Sequence, residues 1–311
     1  IRESAMSDLQ APTTDRSPEN WEGRLSAAGD AQRFPRSRAA FRRLRRNRMA
    51  FGGLVVLFIA LSSALLAPWV SPYDPKAIAV MDALQNPGRQ HLMGTDNLGR
   101  DQFSRVIWGI RMSAVIAGVS ITVAAIIGVL LGLVSGFFRG KTDEIIMRAM
   151  DILYAFPDLL LALALVATFG TGLWGLIIAI AIGRIPGFAR ITRGTVLSLR
   201  ENEYITAART LGLPDWKIIA RHILPNGIAP ILVMVSISLA LAILVEASLS
   251  FLGLGIQPPT PSLGGLLKES LAFMDLAPWM AIFPGLTIAL IIFSLNLFGD
   301  GLRDVLDPNL K

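Results

Sequence analysis

The sequence has no cysteine, only two histidines, His91 and His222, and 17% charged residues among its 311. Without cysteine there is no disulfide framework, no thiolate-held zinc or iron–sulfur cluster and no thiol nucleophile. Two histidines far apart in the chain do not make a metal site, and none is expected. Charge this sparse beside 53% hydrophobic residues, with a mean hydropathy of +0.55, excludes an ordinary soluble fold. This much apolar side chain needs a bilayer. The net charge of +6 does not mark a nucleic-acid binder, because the basic residues sit between the apolar runs.

Residues 1–33 are rich in Ser, Asp, Glu, Ala and Pro without an apolar period, so a disordered tail is expected. Met6 reads as a natural start, with Ile1 to Ala5 a remnant of expression. Residues 34–48 carry seven arginines around Phe41 and Leu44. They read as a basic interfacial helix against membrane lipid, a nucleic-acid arm being the competing reading. Residues 49–311 form the transmembrane domain. Met49 to Val70 is an uncharged run, long enough at about 1.5 Å per residue to cross a hydrocarbon core of about 30 Å. A second span covers about 113–138, where Gly128, Gly132 and Gly136 recur every four residues and mark a face that another helix can approach closely.

The stretch 159–183 is either one span or two helices meeting at Gly170, Thr171 and Gly172. Charge arbitrates. With two helices the chain has six spans, and 23 Lys+Arg fall on the side of the N-terminus against 6 opposite; with one helix the split is 15 against 14. Only the first agrees with positive-inside topology. Six spans are therefore expected, at about 49–70, 113–138, 145–169, 173–188, 228–251 and 279–298, with both termini cytoplasmic and a cytoplasmic loop over 189–226. The third helix then carries Asp151, Pro157 and Asp158 and the fourth Arg184, polar positions that should face protein or water rather than lipid.

Chemistry is sparse. Gly136 to Thr142 resembles a P-loop but has one residue too few between its glycines and follows a membrane helix, not a strand. Any ATP must be handled by a partner, and no cofactor is expected here. Glu246 is the one acid deep in an apolar run, and it counts as a structural or gating candidate. It lies 18 residues from Ile228, about 27 Å, near the outer interface. An ion-coupled transporter or channel would need a midplane ion site, and a membrane enzyme a clustered nucleophile and base; neither pattern is present.

The informative stretch is 190–226, read as two short helices. Glu203 stands in the first turn of one and Arg209 in its last, Gly212 is placed to cap it, and Pro214 suits the start of the next. Ala207, Ala208 and Gly212 leave little bulk, so a partner backbone can seat against the corner. Thr206, Ala207, Ala208, Gly212 after three residues, and His222 to Pro225 after nine more resemble the EAA loop of permease subunits in binding-protein-dependent ABC importers. Thr206 stands where that family usually has the glutamate. His91 to Asp101, including Gly94, Thr95, Asp96, Gly99, Arg100 and Asp101, resembles the motif after span one in the dipeptide, oligopeptide and nickel branch. Glu246 to Gly255 and Gly299 to Pro308 resemble its span-five ending and C-terminus, and the whole is similar to the "C"-type subunit.

The resemblance implies an all-α type I ABC importer permease fold in a bacterial inner membrane. It implies peptides as the substrate, with nickel chelates or haem as alternatives. A second homologous permease, two ABC ATPases that bind ATP and magnesium, and an extracytoplasmic binding protein would be the partners. Glu203, Thr206, Ala207, Ala208, Arg209, Gly212, Leu213, Pro214 and Asp215 would dock on an ATPase. The chain itself would be no enzyme. The Gly-Thr-Asp and Gly-Arg-Asp elements are turn formers that fix loop shape or touch the binding protein.

Overall fold

The computed structural model describes residues 48–306, whose regular structure is helical apart from one isolated bridge between Thr95 and Asp101. The expected tail, residues 34–47 of the basic helix, and Asp307 and Pro308 lie outside them. In order, the helices are α1 Arg48–Leu65, α2 Ala67–Val70, α3 Gln102–Phe138, α4 Gly140–Tyr154, α5 Asp158–Phe169 and α6 Leu173–Arg200. There follow α7 Glu203–Thr210, α8 Asp215–Ile218, a π turn Ile219–Ile223, α9 Leu224–Phe251, α10 Leu263–Ser270 and α11 Trp279–Leu306. Five of these stretches are long and apolar enough to cross a membrane, and six if the bent pair α4 and α5 counts as one span.

Several element ends differ from the sequence reading; α1 stops at Leu65 rather than 70 and α11 runs on to Leu306 rather than 298, and four further differences have local reasons. The second span begins at Gln102 rather than 113, because Asp101 caps it by accepting a hydrogen bond from the Ser104 amide. Its polar first turns, with Gln102, Ser104 and Arg105, are buried in protein, which hydropathy cannot register. In place of one third helix over 145–169 the chain makes two, bent by 93° at residues 155–157. Pro157 lacks an N–H and its ring excludes a continuing α turn, so α4 stops at Tyr154 and α5 restarts with Asp158 in its first turn. The fourth span runs on to Arg200, so residues 190–200 extend the spanning helix rather than forming part of a loop. Span five is continuous with α8 from Asp215, and the wide π turn immediately before Leu224 and Pro225 lets the proline sit within the helical path.

The core is built on α3 against α6. A Cβ on Gly128 would lie 2.6 Å from the Cβ of Phe188, one on Gly132 2.5 Å from the Ala189 carbonyl oxygen, and one on Gly136 2.8 Å from the Cβ of Val196. The three glycines therefore let the two backbones meet over a full two turns of helix. Ile116, Ile121, Leu176, Phe188 and Leu249 fill the interior. On the far side α11 packs on α1, where Gly53 allows the same closeness against Ser294 and Leu297. The short helix α10 is wedged between α9 and α11, capped by Ser262, whose hydroxyl accepts from the Gly265 amide.

Candidate functional site: an exposed corner and charged seams

The corner made by α7 and α8 stands on the ends of α3 and α6. Ile205, Ala208, Ile218 and Ile223 turn inward and pack with Leu133, Phe137 and Val196 into a buried cluster separate from the main core. Arg200 donates to the Phe137 carbonyl at 2.5 Å, and the Arg209 guanidinium lies 4.9 Å from the centre of the Phe137 ring. The turn after α7 is closed by two hydrogen bonds: the Gly212 amide donates to the Arg209 carbonyl at 2.9 Å and the Leu213 amide to that of Ala208 at 3.2 Å. This double closure requires a left-handed residue at 212, and the glycine there has φ +76°. Glu203 lies in the first turn of α7, Arg209 in its last, and Asp215 opens α8 with Pro214 at its cap position.

The other side of the corner is bare. Glu203, Thr206, Ala207, Arg209, Gly212, Pro214 and Asp215 are exposed and Leu213 is partly so. Leu211 and Trp216, 79% and 66% exposed, project beside them. Two large apolar side chains flanking a small-residue notch are not explained by packing within this chain. Ala208 alone of the expected docking residues is buried, so it supports the corner from beneath.

Three ion pairs tie the bent pair to α6. Arg184 donates to Asp158 at 2.7 Å, Arg190 to Asp151 at 2.6 Å, and Arg193 grips both oxygens of Asp143 at 2.6 Å. Ser135 adds a hydrogen bond to Asp143, and the Arg190 guanidinium lies 4.3 Å over the Tyr154 ring. Sequence reasoning singled out Asp151, Asp158 and Arg184 but not their mutual pairing, and it missed Asp143, Arg190 and Arg193. The signal lay in order: acids at 143, 151 and 158 and arginines at 193, 190 and 184 run in opposite chain order, as antiparallel neighbours must.

At the opposite end of the bundle, the loop from Ser71 to Asp101 is closed around Asp96. Its carboxylate accepts from the Leu98 and Arg100 amides at 2.8 and 2.9 Å, from Arg100 Nε at 2.6 Å, and from Arg105 Nη1. Glu269 of α10 accepts from Arg100 Nη2 and from both Nη1 and Nη2 of Arg105, at 2.9 to 3.1 Å. Thr95 accepts from the Gln85 amide and donates to the Asp82 carbonyl, while Trp279 donates to the Thr95 carbonyl. Asp101, besides capping α3, meets His91 Nδ1 at 2.9 Å. Gly94 and Gly99 both turn the chain at φ +74°. All six loop-motif residues are buried. Glu246, likewise, is wholly buried and accepts from Ser113 at 2.7 Å and Ser250 at 2.9 Å. Among the described residues no group of His, Cys, Asp and Glu is arranged to hold a metal ion.

Comparison with known proteins agrees with this architecture. Residues 36–87 match the N-terminal transmembrane domain of oligopeptide transport permease C. The chain is 44% identical over 275 residues to the glutathione transport system permease protein GsiD of Pectobacterium atrosepticum, covering 88% of this chain and 91% of that one. It is 42% identical to the dipeptide transport system permease protein DppC of Alkalihalophilus pseudofirmus, covering 88% and 90%. An inward-facing structure of the MetNI methionine ABC transporter has a chain that superposes with a TM-score of 0.57 at 16% identity, over 65% of this chain and 97% of that one. The fold is therefore that of a type I ABC importer permease, as the sequence resemblance implied. Residues 128–311 match the binding-protein-dependent transport system inner membrane component, and the chain belongs to that family.

Proposed function

We propose that this chain is the membrane permease subunit of an ATP-driven importer for dipeptides and other short peptides, working in a bacterial inner membrane. The relatives named for dipeptide and glutathione transport support peptides over nickel chelates or haem. The observation that carries the mechanical reading is the corner at 203–216: small and exposed outside, fixed to the spanning helices by its own buried cluster inside. A force applied there passes directly to α3 and α6, and through α8 into α9 without a flexible joint. Partner ATPases, which bind ATP and magnesium, supply that force by docking on Glu203, Thr206, Ala207, Arg209, Gly212, Leu213, Pro214 and Asp215. Differential contact in the open and closed ATPase states is what shifts the permease between its two conformations. The chain itself catalyses nothing.

In this assembly a second, homologous permease completes the pathway and an extracytoplasmic binding protein delivers the peptide. The positive-inside count supports a cytoplasmic side for the corner and both termini. The test is reconstitution of the importer in liposomes with Gly212→Trp in this chain. ATP hydrolysis should continue while dipeptide uptake is lost; unchanged uptake would overturn the docking assignment, and uptake driven by an ion gradient without ATP would overturn the importer reading.

A further inference from the structure

The elbow between α4 and α5 carries two features that lipid does not accept. The first is charge at depth. Arg184 lies 11 residues into α6, about 17 Å from its Leu173 end in a helix about 42 Å long, so the Arg184–Asp158 pair sits well inside this spanning helix, clear of both its ends. Arg184 is 11% exposed but Asp158 is 54% exposed, so the carboxylate is the open half of the pair. One and a half turns further along α6 the Arg190–Asp151 pair is open too, at 45% and 55%. Charged groups at such depth face a protein interior or a water-filled cavity.

The second feature is backbone. Residues 155–157 are non-helical, lie at the same level as Asp158, and are exposed on the chain surface with Tyr154 and Phe156. Irregular backbone within a bilayer is tolerated only where protein covers it or water reaches it. Sealing this stripe with an apolar partner face would strip water from two half-hydrated carboxylates, which costs several kcal/mol per ion without new donors.

We propose that the stripe formed by Asp158, Arg184, the 155–157 turn, Tyr154, Asp151 and Arg190 lines the water-filled pathway and contacts the transported peptide. This inference rests on the importer reading above. The open side of Asp158 accepts the ammonium or amide hydrogens of a zwitterionic peptide. Its partner Arg184 holds it in place, and the Asp151–Arg190 pair with the Tyr154 ring continues the same chemistry toward the corner end of α6. A paired carboxylate holds a passing peptide less tightly than a bare one, which suits a pathway that must also release.

The absence of cysteine makes a direct test available. Ala155→Cys is placed in this chain, the importer is reconstituted in liposomes, and a charged, membrane-impermeant thiol reagent is scored on this chain by mass spectrometry. Phe58→Cys on α1 serves as the apolar-surface control. Dialanine is the probe, and its ATP-dependent uptake is measured on the same liposomes. Expected are modification at 155 but not at 58, and protection by dialanine: at ten times its Kd about one site in eleven stays free, so modification slows about tenfold. Asp158→Asn should raise the KM for dialanine uptake, measured at a temperature where the variant, which loses the ion pair to Arg184, is still folded. An unreactive residue 155 that labels fully after denaturation would mean that the second permease or lipid covers the stripe, and would overturn the proposal. Modification without protection, while uptake proceeds, would overturn the peptide contact. Loss of dialanine uptake in the parent assembly with labelling intact would strike the dipeptide reading and leave the water-facing stripe standing.

Discussion

Ser113 of α3 donates its hydroxyl hydrogen to the wholly buried carboxylate of Glu246 on α9, 2.7 Å away, and Ser250 one turn further along α9 donates to the other oxygen. The only acid inside an apolar run is therefore satisfied within the protein and joins two spanning helices. A structural clasp of this kind makes Ser113→Ala destabilising by about 1–3 kcal/mol, since a buried acceptor loses a donor. Thermal unfolding in detergent should show a lowered Tm, with peptide uptake retained at low temperature. Loss of uptake without a fall in Tm would assign Glu246 to the transport path instead.

The Asp96 cluster makes a stronger claim. Two arginines converge on one fully buried carboxylate, and both also reach Glu269. Removing the charge from Asp96 leaves Arg100 and Arg105 buried with one acid between them, and breaking a buried pair in this way costs about 3–5 kcal/mol. Asp96→Asn should fold poorly or unfold at a markedly lower temperature. Glu269→Gln, at a more accessible carboxylate, should cost less. The double variant should lose less than the sum, because the four side chains form one network. Additive losses would show that the two acids act independently.

Much of this was legible in the sequence because membrane chemistry is blunt. Apolar run length exposes α1, α3, α9 and α11, and the arginine and lysine imbalance separates the bent pair from α6 at Gly170, Thr171 and Gly172. The corner was readable for a different reason: Glu203, Arg209, Gly212 and Pro214 are helix-end signals, each with its own local physics. What could not be read is pairing across distance. Glu269 meets Arg105 from 164 residues away, and nothing near either in the chain announces it. The buried first turns of α3 were missed for a related reason, since Arg105 looks like a solvent residue until a buried partner is known. The 93° bend at 155–157 was half-visible: Pro157 was noted, but as a polar-stretch neighbour within one helix rather than as its end.

The glycine seam supplies a comparison within one helix. A Cβ on Gly132 would meet the Ala189 carbonyl at 2.5 Å and Thr192 at 2.7 Å, backbone and short side chain with no room to retreat. Gly118, on the same α3, has nothing within 4 Å of an added Cβ. Gly132→Ala should force α3 and α6 apart and cost about 1–3 kcal/mol as overpacking. Gly118→Ala should instead be neutral or stabilise by up to about 1 kcal/mol, the helix-propensity gain alone. Equal Tm changes in the two variants would show that the seam is not close-packed.

The corner separates into a buried and an exposed set, and the two should fail differently. Ile205 is fully buried against Leu133, Phe137 and Val196, so Ile205→Ala should lower the Tm, at about 2–5 kcal/mol for a large-to-small change in a core. Leu211 and Trp216 contact solvent, so Leu211→Ser with Trp216→Ser should leave the Tm of this chain unchanged. If those two side chains are where an ATPase seats, the double variant loses the apolar centre of the interface, the kind of aromatic anchor that dominates binding energy. Its expected signature is normal folding, recovery of less ATPase with the purified permease, and diminished uptake. A double variant that retains its ATPases and its uptake would place the docking surface elsewhere on the chain, whatever the resemblance of the loop.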